Sequence, residues 1–212
     1  MEQWHQFTLL LPLIILVFIS LVSPGPDFAI TVKNSLVYSR RSGLLTALGI
    51  SLGSLIHISY TLLGLGLLIT KKPLLLHIIQ YIGAGYLFYI GLKNLRTSPN
   101  TDKLGSYTTS IDLKPIEAFF NGFITNLFNP KAMLFFISLF SVLMPKDISS
   151  SSKLFLATLL FLQTLLWFSF VAFSLSGKNT RAKFQRISHW VERITGAILI
   201  VLALKLLFSQ LV

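Results

Sequence analysis

The chain contains no cysteine, so thiol redox chemistry, disulfides and thiolate metal sites are excluded. Charge is nearly as scarce. Only 12% of the 212 residues are charged, about half the share carried by soluble domains. Acids are the rarest of all, with 7 Asp and Glu against 18 Lys and Arg. The histidines, His5, His57, His77 and His189, are scattered without metal-ligand spacing. There is no Gly-rich phosphate loop and no Ser–His–Asp grouping, so the sequence predicts neither an enzyme nor a cofactor site. Met1 to Gln6 holds Glu2 and no lysine or arginine, and no small-residue cleavage site follows the first apolar run. That segment is expected to stay attached rather than act as a signal peptide.

What the chain has in excess is apolar length. Hydrophobic residues make up 53% and the mean hydropathy is +0.74. Six apolar segments, 7–22, 43–69, 74–95, 116–143, 154–176 and 188–210, reach membrane-spanning length and are interrupted by glycine and small polar residues rather than charge. The expectation is an all-α integral membrane protein, one membrane domain over 1–212.

The net charge of +11 sits in short clusters between these segments, as expected for basic residues held on the cytoplasmic side rather than for nucleic-acid binding. With the N-terminus outside, the inside connections carry Lys33, Arg40 and Arg41, then Lys93, Arg96, Lys103 and Lys114, then Lys178, Arg181, Lys183, Arg186 and Arg193. The outside connections carry Lys71, Lys72, Lys146, Lys153 and Lys205, so the bias places both termini outside. Lys131 is left inside a segment.

The two halves look alike. "IGAGYLFYIGLKNL" (82–95) aligns with "ITGAILIVLALKLL" (194–207), and a proline break at "SPGPD" (23–27) is matched by one at "FNPKA" (128–132). Repeats of three helices must run in opposite senses through a bilayer, because three is odd. The predicted architecture is therefore six transmembrane helices as two inverted three-helix repeats, about 1–97 and 116–212, joined by a polar central loop at about 96–115. The first helix of each repeat is broken at proline, and such breaks place a transporter's site near the midplane.

The breaks carry the chemistry. Pro24 and Pro26 lack N–H donors, and each ring clashes with the carbonyl one turn back. Lipid supplies no replacement partners, so freed carbonyls must face protein or a hydrated cavity. Phe7 to Tyr38 as one helix would run roughly 48 Å, beyond a ~30 Å hydrocarbon core, so the span folds at "SPGP" with Gly25 at its centre. Asp27 then opens the second half-helix, where a carboxylate suits the positive helix end. In the other half, Asn126 and Asn129 precede Pro130, with Asn129 placed to cap the next half-helix and Pro130 at its first position. Lys131 is costly at this depth and needs a partner or water. Asp27 and Lys131 are expected to face one cavity and to offset each other there. The plainer reading of these prolines is a simple helix kink, but ionisable groups directly after both breaks favour a functional site.

Gly49, Gly53, His57, Thr61 and Gly64 fall on one stripe of the second segment, with Gly49 and Gly53 spaced for close helix contact. The plainer reading of His57 is a hydrogen bond to a neighbouring helix, and the sharper one is proton coupling. Gln163 is read first as interhelical packing and second as cavity lining.

The stretch from "SPGPD" through "SRRSGLLTALGISLGSLIH", with "NGFITNLFNPKAMLFFISLF", resembles the two signatures of the LysE/RhtB family of amino-acid exporters. The resemblance spans essentially the whole chain. It implies a bacterial cytoplasmic-membrane exporter of amino acids or close derivatives, driven by proton antiport, with oligomeric members. Carried to this chain, Pro24, Gly25, Pro26 and Asp27 match the first signature, and Asn126, Asn129, Pro130 and Lys131 the second. They become the candidate translocation residues, with Asp27 and His57 as candidate proton-coupling groups. The implied partners are a small-molecule substrate, protons and lipid, with no nucleic acid. A metal-ion exporter of related architecture is the first alternative, although it would want several clustered carboxylates or histidines and no opposing Lys131. A membrane enzyme or a non-transporting assembly subunit is the second.

Overall fold

A computed structural model describes residues 2–71, 73–96, 112–144, 148–174 and 178–209. Most of the central loop, including Lys103, and also Lys146, lie outside the described residues. The described elements are all helical: α1 (Glu2–Val22), α2 (Pro26–Val37), α3 (Arg40–Lys71), α4 (Pro73–Leu95), α5 (Pro115–Leu127), α6 (Pro130–Leu143), α7 (Ser150–Ser174) and α8 (Lys178–Ser209).

Two interruptions give this order its shape. α1 and α2 are bent by 52° at Ser23–Gly25, and α5 and α6 by 52° at Phe128–Asn129. Pro24 and Pro26 withdraw the donors that the Ser20 and Val22 carbonyls would meet in a continuous helix. Pro26 is tolerated in the first turn of α2, where its missing N–H has no helical partner anyway. Gly25 sits at φ −161°, extended backbone open to any residue, so the prolines make this break and glycine is not needed for its torsion angle. At the second break Asn129 caps α6, accepting from the backbone N–H groups of Lys131 (3.0 Å) and Ala132 (3.4 Å).

Arg40–Gly64 within α3 and the whole of α7 are each long and apolar enough to cross a membrane, and each bent pair qualifies jointly. That gives up to four candidate spans among the described residues. α7 shows the pattern plainly. Leu156, Leu160, Thr164, Phe168 and Val171 are buried along one face, while Leu154, Leu162, Leu166, Phe170 and Phe173 are exposed on the other. A helix apolar on both faces is suited to a bilayer, with lipid against its outer side.

Lipid is as apolar as leucine, so helices in a membrane associate through close packing more than through the hydrophobic effect. Small residues make that packing here. A side chain on Gly49 would collide with the Phe119 carbonyl, and one on Gly122 with the Thr46 carbonyl, so α3 and α5 touch backbone to backbone. α4 and α8 meet reciprocally. A Cβ on Gly91 would stand 2.8 Å from the Gly196 carbonyl, and one on Gly196 2.6 Å from that of Gly91. Gly64 has open space beside it, so the close face of α3 ends before that residue. A core of Leu13 and Val17 (α1), Ile58 and Leu62 (α3), Leu87 (α4), Phe136 and Phe140 (α6), Leu156 and Leu160 (α7) and Leu199 (α8) ties the rest together.

Candidate functional site: the meeting of the two breaks

The bends bring residues about a hundred positions apart into contact. Asp27, in the first turn of α2, accepts two hydrogen bonds on Oδ2, from Asn126 Nδ2 at 2.9 Å and Asn129 Nδ2 at 3.1 Å. Its other oxygen, Oδ1, is buried and has no hydrogen-bond partner. Lys131, in the first turn of α6, reaches back across the interface and donates from Nζ to Ser23 Oγ at 3.1 Å. A Cβ on Gly25 would lie 3.6 Å from Nζ, so the ammonium sits over the bare backbone of the first break. Each break thus sends its charged residue to the polar groups of the other.

Between them lies a cavity of about 40 Å³, lined on its polar side by Ser20, Ser23, Asp27, Ser54, Asn126, Asn129 and Lys131. Phe135, Phe136 and Phe168 wall its apolar side. That volume admits water but is far below the roughly 300–1,000 Å³ of a typical ligand cleft. Asp27 and Lys131 share the cavity without forming an ion pair, because Asn126 and Asn129 take Oδ2 while Ser23 takes the ammonium. The mutual offset expected from sequence acts across the shared cavity rather than through a direct contact, with polar neighbours on each side.

The other predicted residues fall into place around this core. Pro24, Pro26 and Pro130 shape the two breaks. His57 is buried against α5, with Nε2 3.0 Å from the Asn126 carbonyl and Nδ1 2.9 Å from the Tyr60 hydroxyl, and it does not line the cavity. Gln163 donates to the Ile14 carbonyl at 3.1 Å, tying α7 to α1, and it too lies outside the cavity lining. Both hydrogen bonds match the plainer, interhelical reading of each side chain. Sequence reasoning missed Ser20, Ser23 and Ser54. Ser23 stands inside the first break and so carried a signal, whereas Ser54 is one of seven serines and threonines in α3 and nothing in the sequence singles it out.

On the side where α2 meets α3, outside the apolar spans, Asp112 accepts from Ser39 Oγ (2.5 Å) and Ser42 Oγ (2.7 Å). These hydroxyls hold its carboxyl below the usual carboxylate range, aided by the backbone N–H of Leu113 and the charge of Arg41. Asp112 fastens the segment leading into α5 to the α2–α3 corner.

Comparison with known proteins follows the same residues. The sequence matches the LysE type translocator family over residues 18–210, from just before the first break to the end of α8. The chain belongs to this family. Among its relatives, a threonine efflux protein of Escherichia coli is 30% identical over 193 residues, 91% of this chain and 94% of the relative. The membrane protein YahN of Escherichia coli is 30% identical over 99% of this chain and 92% of its own length. A leucine efflux protein of Salmonella choleraesuis is 36% identical over 124 residues, 58% of this chain and 57% of the relative. No solved structure matches. As a member of a translocator family the chain is an integral membrane transporter and not an enzyme.

Proposed function

We propose that this LysE-family chain exports an amino acid or close derivative across the bacterial cytoplasmic membrane by proton antiport, through alternating access. One observation carries the reading. Asp27, whose Oδ1 is buried without a hydrogen-bond partner, and Lys131 line the same cavity where two broken helices meet. A zwitterion carries one ammonium and one carboxylate, and moving both through hydrocarbon is prohibitive without compensating groups. Asp27 Oδ1 and the carbonyls near Pro24 receive the ammonium. Lys131 and the N-terminal turn of α6 receive the carboxylate. The threonine and leucine efflux relatives support an amino acid as cargo.

In the arrangement we propose, α4 and α8 join the four candidate spans to give six, as two inverted three-helix repeats with both termini outside. Matched 52° bends and the reciprocal Gly91–Gly196 contact support this pairing. The small cavity corresponds to a closed state, and rocking one repeat against the other opens it to either face. Protonation of Asp27 links export to proton entry. The resemblance also carries association of copies within the lipid bilayer.

A metal-ion exporter finds no support. The efflux relatives carry the names of amino acids, and no cluster of three or more His, Asp or Glu stands together among the described residues. The deciding experiment is expression in a host stripped of its own exporters, challenged with a panel of toxic amino acids and analogues. Resistance to a compound, lost with Asp27→Ala, supports the reading. No protection across a broad panel ends it.

A further inference from the structure

Asn126 is the side chain on which the site's geometry turns, and α3 grips it at three points. Pro130 has no N–H to offer the Asn126 carbonyl, which a continuous helix would satisfy from four residues ahead. That carbonyl instead accepts from the Asn129 backbone N–H at 3.0 Å and from His57 Nε2 at 3.0 Å. A carbonyl only accepts, so Nε2 carries the proton and Nδ1 accepts from the Tyr60 hydroxyl. Ser54 Oγ donates to Asn126 Oδ1 at 3.3 Å, which turns the amide nitrogen toward Asp27 Oδ2. Gly53 permits the approach. A Cβ there would stand 2.8 Å from Asn126 Oδ1 and 3.2 Å from the Phe123 carbonyl.

We propose that Gly53, Ser54 and His57 form a clamp on α3 that orients Asn126, so that its amide occupies Asp27 Oδ2 and leaves Oδ1 without a protein partner, free to take the cargo's ammonium. His57 is a positioning residue in this scheme and not the proton carrier. Both its ring nitrogens are engaged, its one N–H is committed to a carbonyl freed by proline, and its ring stacks on Phe136 with centroids 6.1 Å apart rather than entering the cavity. The clamp also explains why α3, which contributes only Ser54 to the cavity lining, carries small and polar residues at 53, 54 and 57. It rests on the export reading for its consequence, though not for its geometry.

The test uses the full-length protein in inside-out vesicles, with L-threonine as probe and an imposed pH gradient. His57→Gln keeps an amide N–H at about the reach of Nε2 but cannot titrate. It is expected to stay within about 3-fold of the wild-type KM with proton coupling intact, as a retained buried hydrogen bond requires. His57→Leu removes the donor and is expected to raise KM about 10-fold or more at equal folded protein, the order of one lost buried hydrogen bond. Ser54→Ala keeps the fold and is expected to raise KM several-fold in the same sense. Loss of proton coupling in His57→Gln, or wild-type KM in both His57→Leu and Ser54→Ala, overturns the clamp. ¹⁵N-histidine NMR of the purified protein reads the geometry without transport. The signal lost in His57→Gln should be the Nε2–H tautomer, and an Nδ1–H tautomer overturns the proposal. If the wild type moves no amino acid, the export reading fails while the NMR result still decides the clamp.

Discussion

At the scale of single residues, the site is a pair of opposite charges kept apart by amides and a hydroxyl. One carboxylate oxygen of Asp27 has no hydrogen-bond partner, and Asp27→Asn would keep the shape while removing the charge. We expect Asp27→Asn to lower export by at least about 10-fold, the order of one lost charge-assisted hydrogen bond, and to abolish its dependence on the pH gradient. Export from preloaded cells with and without a protonophore measures both. Retention of full coupling would remove Asp27 from the proton path. Asn129 has two duties, since Oδ1 caps α6 while Nδ2 holds Asp27. Asn129→Ala should therefore cost about 1 kcal/mol of stability through the lost cap and weaken export as well, whereas Asn129→Asp restores only the cap. Melting curves beside export rates separate the two effects.

At the scale of elements, glycine decides which helices touch. Gly49 and Gly122 face carbonyls across the α3–α5 contact with no room for a methyl group, so Gly122→Ala must push the helices apart. We expect a loss of about 1–3 kcal/mol, typical of overpacking, read as a lower melting temperature in detergent. Gly64→Ala serves as the control. With nothing near its Cβ it should be neutral, or stabilise by up to about 1 kcal/mol through helix propensity. The breaks are elements too, and much of them was legible in advance. Pro24, Pro26 and Pro130 announce the loss of helical donors, and Asn129 before Pro130 announces a cap. The partners of Asn126 were not legible. His57 and Ser54 lie about seventy residues away along the chain, and no local pattern says which carbonyl a buried histidine will meet.

At the scale of the whole molecule, the absence of cysteine makes the proposed topology easy to test. A single Val212→Cys should react with a membrane-impermeant maleimide in intact cells, and Gly105→Cys in the central loop should react only after permeabilisation. The reverse pattern would invert the orientation. Asp112 offers a second whole-molecule handle, because it joins the approach to α5 to the α2–α3 corner. Its carboxyl is held low in the fold by Ser39 and Ser42. A depressed carboxyl stabilises at pH values above its unfolded value and loses that effect as pH falls through the folded one. Wild type should therefore melt slightly above Asp112→Asn at pH 7, and the gap should close as the pH drops below about 4. The difference will be small, since the pair is exposed to solvent.

The sequence by itself determined the class of molecule, the places where its helices break and the charged residues beside those breaks. Each of these follows from local chemistry: apolar length, missing proline donors, and the cost of ionised groups in hydrocarbon. Only the tertiary structure decided that Asp27 and Lys131 reach across to each other's break without pairing, and that His57 and Ser54 hold Asn126 while Gln163 merely ties two helices. Those outcomes depend on which backbones can approach closely enough, through glycines facing carbonyls, and that is a property of pairs of helices rather than of any one stretch of chain.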